Sequence, residues 1–344
     1  MLFTTLRTIS LYLLVLIFIA CDTQKKKDSA DFFLKGNLAF TQNNYAEAIR
    51  LYDEAISKNA EFADAFLNKG ICLLKINRVK DAHEVLTNAI ELDPSLVQAN
   101  LVRSEASLRL GNLSEAENDL RTIAKSYKDS SRYYLIHGNL QDARNNQSAA
   151  LADYDLALTL NPSNVEALVN RGAVYYGLNS YADAKKDFLQ AAKLNPGQTE
   201  ALNNLGLIAT KESDWTQAIS YFDLILNRNP ADPLALNNKG YVLLMTKDMN
   251  QAKILIDQSL DIMPENGYAL RNLGIYFQQI NKPSEALAVL NKAIDIAEPV
   301  EMLYGITGQI YFTAKNPVKA CETWSKGKIL KDSLSSIEWA KNCR

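Results

Sequence analysis

The chain has 344 residues, 47% hydrophobic and 22% charged, and its 37 basic and 39 acidic side chains leave a net charge of −2. That balance argues against a nucleic-acid binder, which would carry a basic stripe. The length alone suggests two domains, a count that the internal repeats described below replace with one elongated array.

The N-terminus reads as a leader. Arg7 precedes an apolar run from Ile9 to Ala20, broken only by Ser10, and Cys21 follows. Twelve residues are too few for a bilayer-spanning helix, which needs about 20, whereas a basic start, an apolar core and a small final residue fit a secretory signal. The segment Phe18-Ile19-Ala20-Cys21 resembles the bacterial lipobox, with Phe18 where that motif usually has leucine. The resemblance implies removal of residues 1–20 as a signal peptide, with Cys21 acylated (a palmitate-type anchor) as the new N-terminus. Simple secretion and an uncleaved anchor are the alternative readings. Acyl chains hold a protein to a membrane at about 0.8 kcal/mol per buried methylene. This places the chain in the bacterial cell envelope, with inner or outer membrane left open. Losing the leader takes one basic residue, Arg7, and leaves 36 against 39, a net −3. Residues 21–28, with Lys25, Lys26 and Lys27, read as a polar tether. About eight extended residues reach at most ~28 Å, and the lysines suit an anionic leaflet.

From Ser29 onward one interval governs the sequence. Ala48, Ala82, Ala116, Ala150, Ala184, Ala218, Ala252, Ala286 and Ala320 recur every 34 residues. Twelve positions earlier stand Gly36, Gly70, Gly138, Gly172, Gly206, Gly240, Gly274 and Gly308, with Ser104 in the third rung. Apolar residues around each alanine keep helical spacing, as in Ala48, Tyr52 and Ala55. Strict self-similarity at this period marks stacked helical hairpins, and the small residues are expected to meet where paired helices cross. The fourth slot of most units is large and apolar (Phe32, Phe66, Tyr134, Leu168). Asp93-Pro94, Asn161-Pro162, Asn195-Pro196 and Asn229-Pro230 end second helices, because proline stops a helix.

These residues resemble the tetratricopeptide repeat family. The pattern is best kept in Leu168, Gly172, Tyr175, Ala184, Phe188, Ala191 and Pro196, then in Leu202, Gly206, Ala218, Phe222 and Pro230. The resemblance implies an all-α, right-handed superhelical solenoid of nine antiparallel helix-turn-helix repeats plus a C-terminal capping helix. The units run 29–62, 63–96, 97–130, 131–164, 165–198, 199–232, 233–266, 267–300 and 301–334, with the cap at 335–344. The third and fourth depart most: Ser104, Asn100, Ile123 and Lys128 replace glycine, a large apolar residue, alanine and proline, and Gln141 and Gln147 fill slots usually aromatic. Either these units have repacked locally, or they form a softer joint, since a weak unit in a nearest-neighbour stack is a natural fraying point.

In this family the first helix of each pair lines a concave groove. Its sixth slot carries Asn68, Asn170, Asn204, Asn238 and Asn272, and a side-chain amide can both donate to and accept from a peptide backbone. The expected groove residues are Asn170, Asn203, Asn204, Asn237, Asn238, Tyr241, Tyr268, Arg271 and Asn272, a mixture suited to a peptide with apolar anchors. The alternative is structural, since asparagine is common at that slot whether or not it binds. The carboxylate clamp of some members is not supported, because Phe33, Gln98 and Val102 stand where its cations belong.

Cys72 reads as a buried small apolar residue. Placing residues 335–344 as the first helix of a tenth unit brings Cys343 level with Cys321. An oxidising compartment would permit a disulfide there; two free thiols are the other possibility. His83 and His137 are far apart in sequence and match no metal-ligand spacing. No catalytic residue, metal or cofactor is expected. Three functions follow in order: a membrane-anchored scaffold binding proteins or peptides and supporting an envelope complex, a glycan-binding accessory of polysaccharide export, and a cryptic enzyme.

Overall fold

The computed structural model describes residues 24–296 and 300–343. The leader and Cys21 lie outside the described residues. Helices alternate with short turns throughout, without a strand among the described residues. The chain divides into two compact units, one up to Val174 and one from Tyr175 onward.

In the first unit, α1 covers 24–41, and α2 (Tyr45–Lys58) completes the first hairpin. Then come α3 (Ala63–Lys75) with α4 (Val79–Leu92), and α5 (Val97–Arg109) with α6 (Leu113–Ile123). The fourth hairpin pairs α7 (Ser131–Ala143) with α8 (Gln147–Leu160), and α9 (Val165–Gly177) crosses the division. The second unit continues with α10 (Tyr181–Leu194), α11 (Thr199–Lys211), α12 (Trp215–Leu226), α13 (Pro233–Met245) and α14 (Met249–Ile262). It ends with α15 (Gly267–Gln279), α16 (Pro283–Asp295), α17 (Leu303–Thr313), α18 (Pro317–Ile329) and α19 (Ser333–Asn342).

Two ends differ from expectation. Residues 24–28, read as part of the tether, lie within α1. They contain no helix breaker, Gln24 donates to Asp28 one turn on, and Ser29 is buried with its hydroxyl on the Ala55 carbonyl instead of capping a helix start. At the other end α19 begins two residues early, because Asp332 caps it through the Ser335 N–H.

The glycine ladder also works differently from a small-on-small crossing. Gly36, Gly70, Gly138, Gly206, Gly240, Gly274 and Gly308 each face the large residue four positions after the ladder alanine. A Cβ on Gly70 would lie 2.6 Å from Leu86, on Gly206 2.5 Å from Phe222, and on Gly274 2.5 Å from Leu290. These large partners are almost wholly enclosed: Leu86, Phe222 and Leu290 are each 0% exposed. In the third repeat the Ser104 hydroxyl folds back onto the Leu101 carbonyl at 2.7 Å, so the bulkier residue is accommodated without an orphaned polar group.

That repeat is repacked around charge. Asp119, 1% exposed, accepts from Arg103 Nε and Nη2 at 2.8 and 2.7 Å and from Asn100 Nδ2 at 3.1 Å. Asn100, which occupies the large apolar slot, is therefore a partner in a polar network, and Ile123 fills the core in place of alanine. The division between units falls within α9 of the fifth repeat, not in the third or fourth.

A third ladder was not anticipated. Asn43, Asn77, Gly111, Asn145, Asn179, Ser213, Lys247, Asn281 and Lys315 all have φ between 58° and 79°, at the same 34-residue step. Each sits in the turn joining the two helices of a hairpin, where the chain must adopt a left-handed residue. Asparagine and glycine tolerate that conformation; serine and lysine pay for their Cβ. Ser213→Gly, Lys247→Gly and Lys315→Gly are each expected to stabilise the fold by about 0.5–1 kcal/mol, while Asn43→Gly changes little. Urea melts of the four variants check this, and a destabilised Lys247→Gly would contradict it.

At the C-terminus Cys321 of α18 and Cys343 after α19 are bonded, with Cα atoms 5.7 Å apart and 22 residues of separation. Closing such a loop contributes about 3 kcal/mol in the chain-entropy picture. Asp332 adds a second fastening: besides capping α19, its other oxygen accepts from the Tyr304 and Gly305 N–H groups that open α17. Cys72 is free and fully buried, and burial pushes its thiol up to about 11.

Candidate functional site

Within each unit, first helices of neighbouring repeats pack closely (α3 with α5, α5 with α7, α11 with α13, α13 with α15, α15 with α17), while second helices stand further apart, and His83 of α4 reaches Glu115 of α6 only through the side chains. First helices therefore line the inner side of each stack, and the sixth-slot asparagines stand on that side.

Their amides are largely spent on one another. In the first unit Asn37 Oδ1 accepts from Tyr52 Oη at 2.8 Å and from Asn68 Nδ2 at 2.9 Å. Asn139 repeats the motif with Tyr154 Oη and Asn170 Nδ2, both at 2.8 Å. In the second unit the bonds join into a relay. Arg271 Nη2 donates to Asn272 Oδ1 at 2.9 Å, and Asn272 Nδ2 to Asn237 Oδ1 at 2.8 Å. Asn237 Nδ2 then donates to Asn238 Oδ1 at 3.2 Å, and Asn238 Nδ2 to Asn203 Oδ1 at 2.9 Å. All four bonds run in one direction away from a cation, the arrangement in which successive amides polarise one another. Asn237 and Asn272, 2% and 1% exposed, are inside the wall and not on it. Asn204 stays outside the relay, half-buried and bonded to the Glu200 carbonyl.

What faces the groove is aromatic and cationic. The Arg271 guanidinium lies 5.5 Å from the Tyr241 ring centre and 5.2 Å from that of Tyr268, a double cation–π contact. Tyr268 is 43% exposed. Arg271 Nη1 donates to the Glu301 carbonyl at 2.9 Å, and the Glu301 carboxylate lies 3.7 Å from Lys211 Nζ. Burial pulls the Arg271 guanidinium below its ordinary value, and burial pushes the nearby Tyr176 hydroxyl up to about 12. Sequence reasoning found Tyr241, Tyr268 and Arg271 but missed Lys211 and Glu301. The signal for Glu301 lies in the eighth linker, where Ala297-Glu298-Pro299-Val300-Glu301 replaces the compact Asn-Pro turn.

The histidines are held by carboxylates in the first unit. His83 Nε2 lies 2.6 Å from Glu115 and His137 Nδ1 2.7 Å from Asp153. Ser107 also donates to Glu115, at 2.8 Å. The carboxylate thus stands between the histidine and the hydroxyl, so His83 does not itself bond Ser107. Among the described residues, no helix is long and apolar enough to cross a membrane.

A stack of 34-residue helical hairpins with an amide-braced inner face defines a repeat protein of the interaction-scaffold class. Tetratricopeptide repeat profiles match residues 33–97, 73–131, 169–233 and 232–298, and a further TPR repeat profile matches 138–179. The chain belongs to the tetratricopeptide repeat family. Proteins of this family act as interaction scaffolds and peptide binders, typically without enzymatic activity. A mitochondrial import receptor subunit, TOM70 of Rattus norvegicus, is 30% identical over 142 residues, 40% of this chain and 21% of the receptor. The chain thus spans about a fifth of that relative's length. Among solved structures, the anaphase-promoting complex hetero-tetramer Cut9-Hcn1 aligns with TM-score 0.63 and 15% identity, over 92% of this chain and 76% of that one. A tetratricopeptide repeat protein from Parabacteroides merdae aligns with TM-score 0.54 and 17% identity, over 72% and 98%. Both show the same fold.

Proposed function

We propose that this protein is a membrane-anchored scaffold that holds an extended protein segment along the inner face of its second unit and supports assembly of an envelope complex. The observation that carries the reading is the Tyr241–Arg271–Tyr268 cluster, half-buried at Tyr241 and Arg271 and exposed at Tyr268, mounted on the amide relay. Aromatic and arginine side chains are the residues that anchor protein interfaces, and a wall whose own polar groups are already satisfied holds them in place. Acylation of Cys21, inferred from the sequence of the leader, supplies the anchor.

Photo-crosslinking in intact cells tests this, with a probe at Tyr241 and a control at Gln258 on the exposed face of α14. A discrete protein adduct at Tyr241 alone is expected, lost from the membrane fraction in a Cys21→Ala variant. Adducts confined to Gln258 would move binding to the second helices. Absence of any protein adduct would favour a glycan ligand.

A further inference from the structure

We infer that Arg271, seconded by Lys211, is the anchor for an acidic side chain of the bound segment, so that the groove of the second unit selects extended partners carrying Asp or Glu. This rests on the groove reading above and adds the chemistry of its ligand. Arg271 makes three hydrogen bonds: Nε and Nη2 to the Asn272 amide oxygen and Nη1 to the Glu301 carbonyl. A guanidinium has five N–H groups, so one on each terminal nitrogen is left without a partner in the structure. Two such donors on neighbouring nitrogens are the groups a carboxylate can engage. Both tyrosine rings lie close to the guanidinium, at 5.5 and 5.2 Å, and Tyr268 is exposed beside it. Each oxygen that Arg271 bonds is neutral, and among the described residues no carboxylate lies within ion-pair distance of it.

The segment Val300–Met302 runs against this site, its Glu301 carbonyl on Arg271 and its carboxylate toward Lys211, 90 residues away in sequence. Lys211 and Glu301 are 37% and 61% exposed, so an incoming acidic residue can compete for the lysine. Glu301 thus acts as a weak internal occupant, placed where a partner's acidic side chain would bind more directly on the arginine.

A phage-displayed library of random 12-residue peptides, selected on the folded full-length protein, provides the probe. Selected peptides are expected to be enriched in Asp and Glu, and replacing the key Glu by Gln in a selected peptide should weaken binding about tenfold, the size of a lost charge-assisted pair. Arg271→Gln should abolish that Glu-to-Gln discrimination. Lys211→Gln, at a part-exposed site that does not brace the amide relay, should reduce it, and Glu301→Gln should tighten acidic peptides about threefold. Peptides that bind through Tyr241 without acidic enrichment, or with discrimination unchanged in both cation variants, would overturn the inference and leave the groove reading standing. Recovery of no peptide whose binding depends on Tyr241 would overturn both.

Discussion

Asp119→Ala is expected to destabilise the first unit by about 3–5 kcal/mol, the cost of stripping one partner from a buried ion pair. The carboxylate is 1% exposed and accepts three hydrogen bonds, two from Arg103 and one from Asn100. Without it the guanidinium, only 14% exposed, keeps one 3.3 Å bond to Thr87 and a 4.0 Å approach to Glu115. Glu115 already serves His83 and Ser107 and is poorly placed to take over. The double change Arg103→Leu with Asp119→Leu should recover most of the loss, because a paired charge replaced by apolar volume is often neutral or better. Urea denaturation followed by circular dichroism measures both. A loss below about 1 kcal/mol for the single variant would mean that water reaches the site and the pair behaves as an exposed one.

Trp324→Ala should cost the end of the second unit about 3–5 kcal/mol. The indole is 0% exposed, sits in the space that Gly308 leaves, donates to the Gly305 carbonyl at 3.0 Å, and lies 5.7 Å from the Phe312 ring. Truncation opens a cavity between α17 and α18 and leaves the Gly305 carbonyl without its indole donor. Trp324→Phe keeps most of the volume but not the donor and should lose less than half as much. Calorimetric melting separates the outcomes. Equal effects of the two variants would assign the stability to the hydrogen bond and not to packing.

The repeat architecture was legible because the alanine ladder marks a place where volume is fixed, and volume constraints survive in single residues. The glycine ladder was legible as a pattern but not in its contacts: Gly206 makes room for Phe222, and a spacing of 16 residues across a turn is not a helical period. Asn43, Asn77, Asn145 and Asn179 advertise left-handed turns plainly at the 34-residue step, yet Ser213 and Lys247 interrupt the signal. The groove was half legible. Tyr241, Tyr268 and Arg271 could be placed on first helices by register. That Asn237 and Asn272 point into one another follows from the distance between neighbouring helices, which a sequence does not carry. Glu301 reaches the groove through a linker that departs from the repeat, where periodicity gives no guidance. Tether residues 24–28 were read from their polarity, but lysine and glutamine are good helix formers once a neighbouring helix follows.

Asp332 sets a rule for how such an array can grow. Its two oxygens cap the starts of α17 and α19 together, and the Cys321–Cys343 bond spans the same hairpin. Duplication of a 34-residue unit upstream of Leu303 copies a self-contained module and leaves every cap with its owner. Duplication across Asp332 would separate one carboxylate from one of the two helices it serves and divide a cysteine pair. Lineages that lengthen or shorten this chain can therefore do so by gaining or losing interior units, with the last hairpin and its closing helix inherited as a single block.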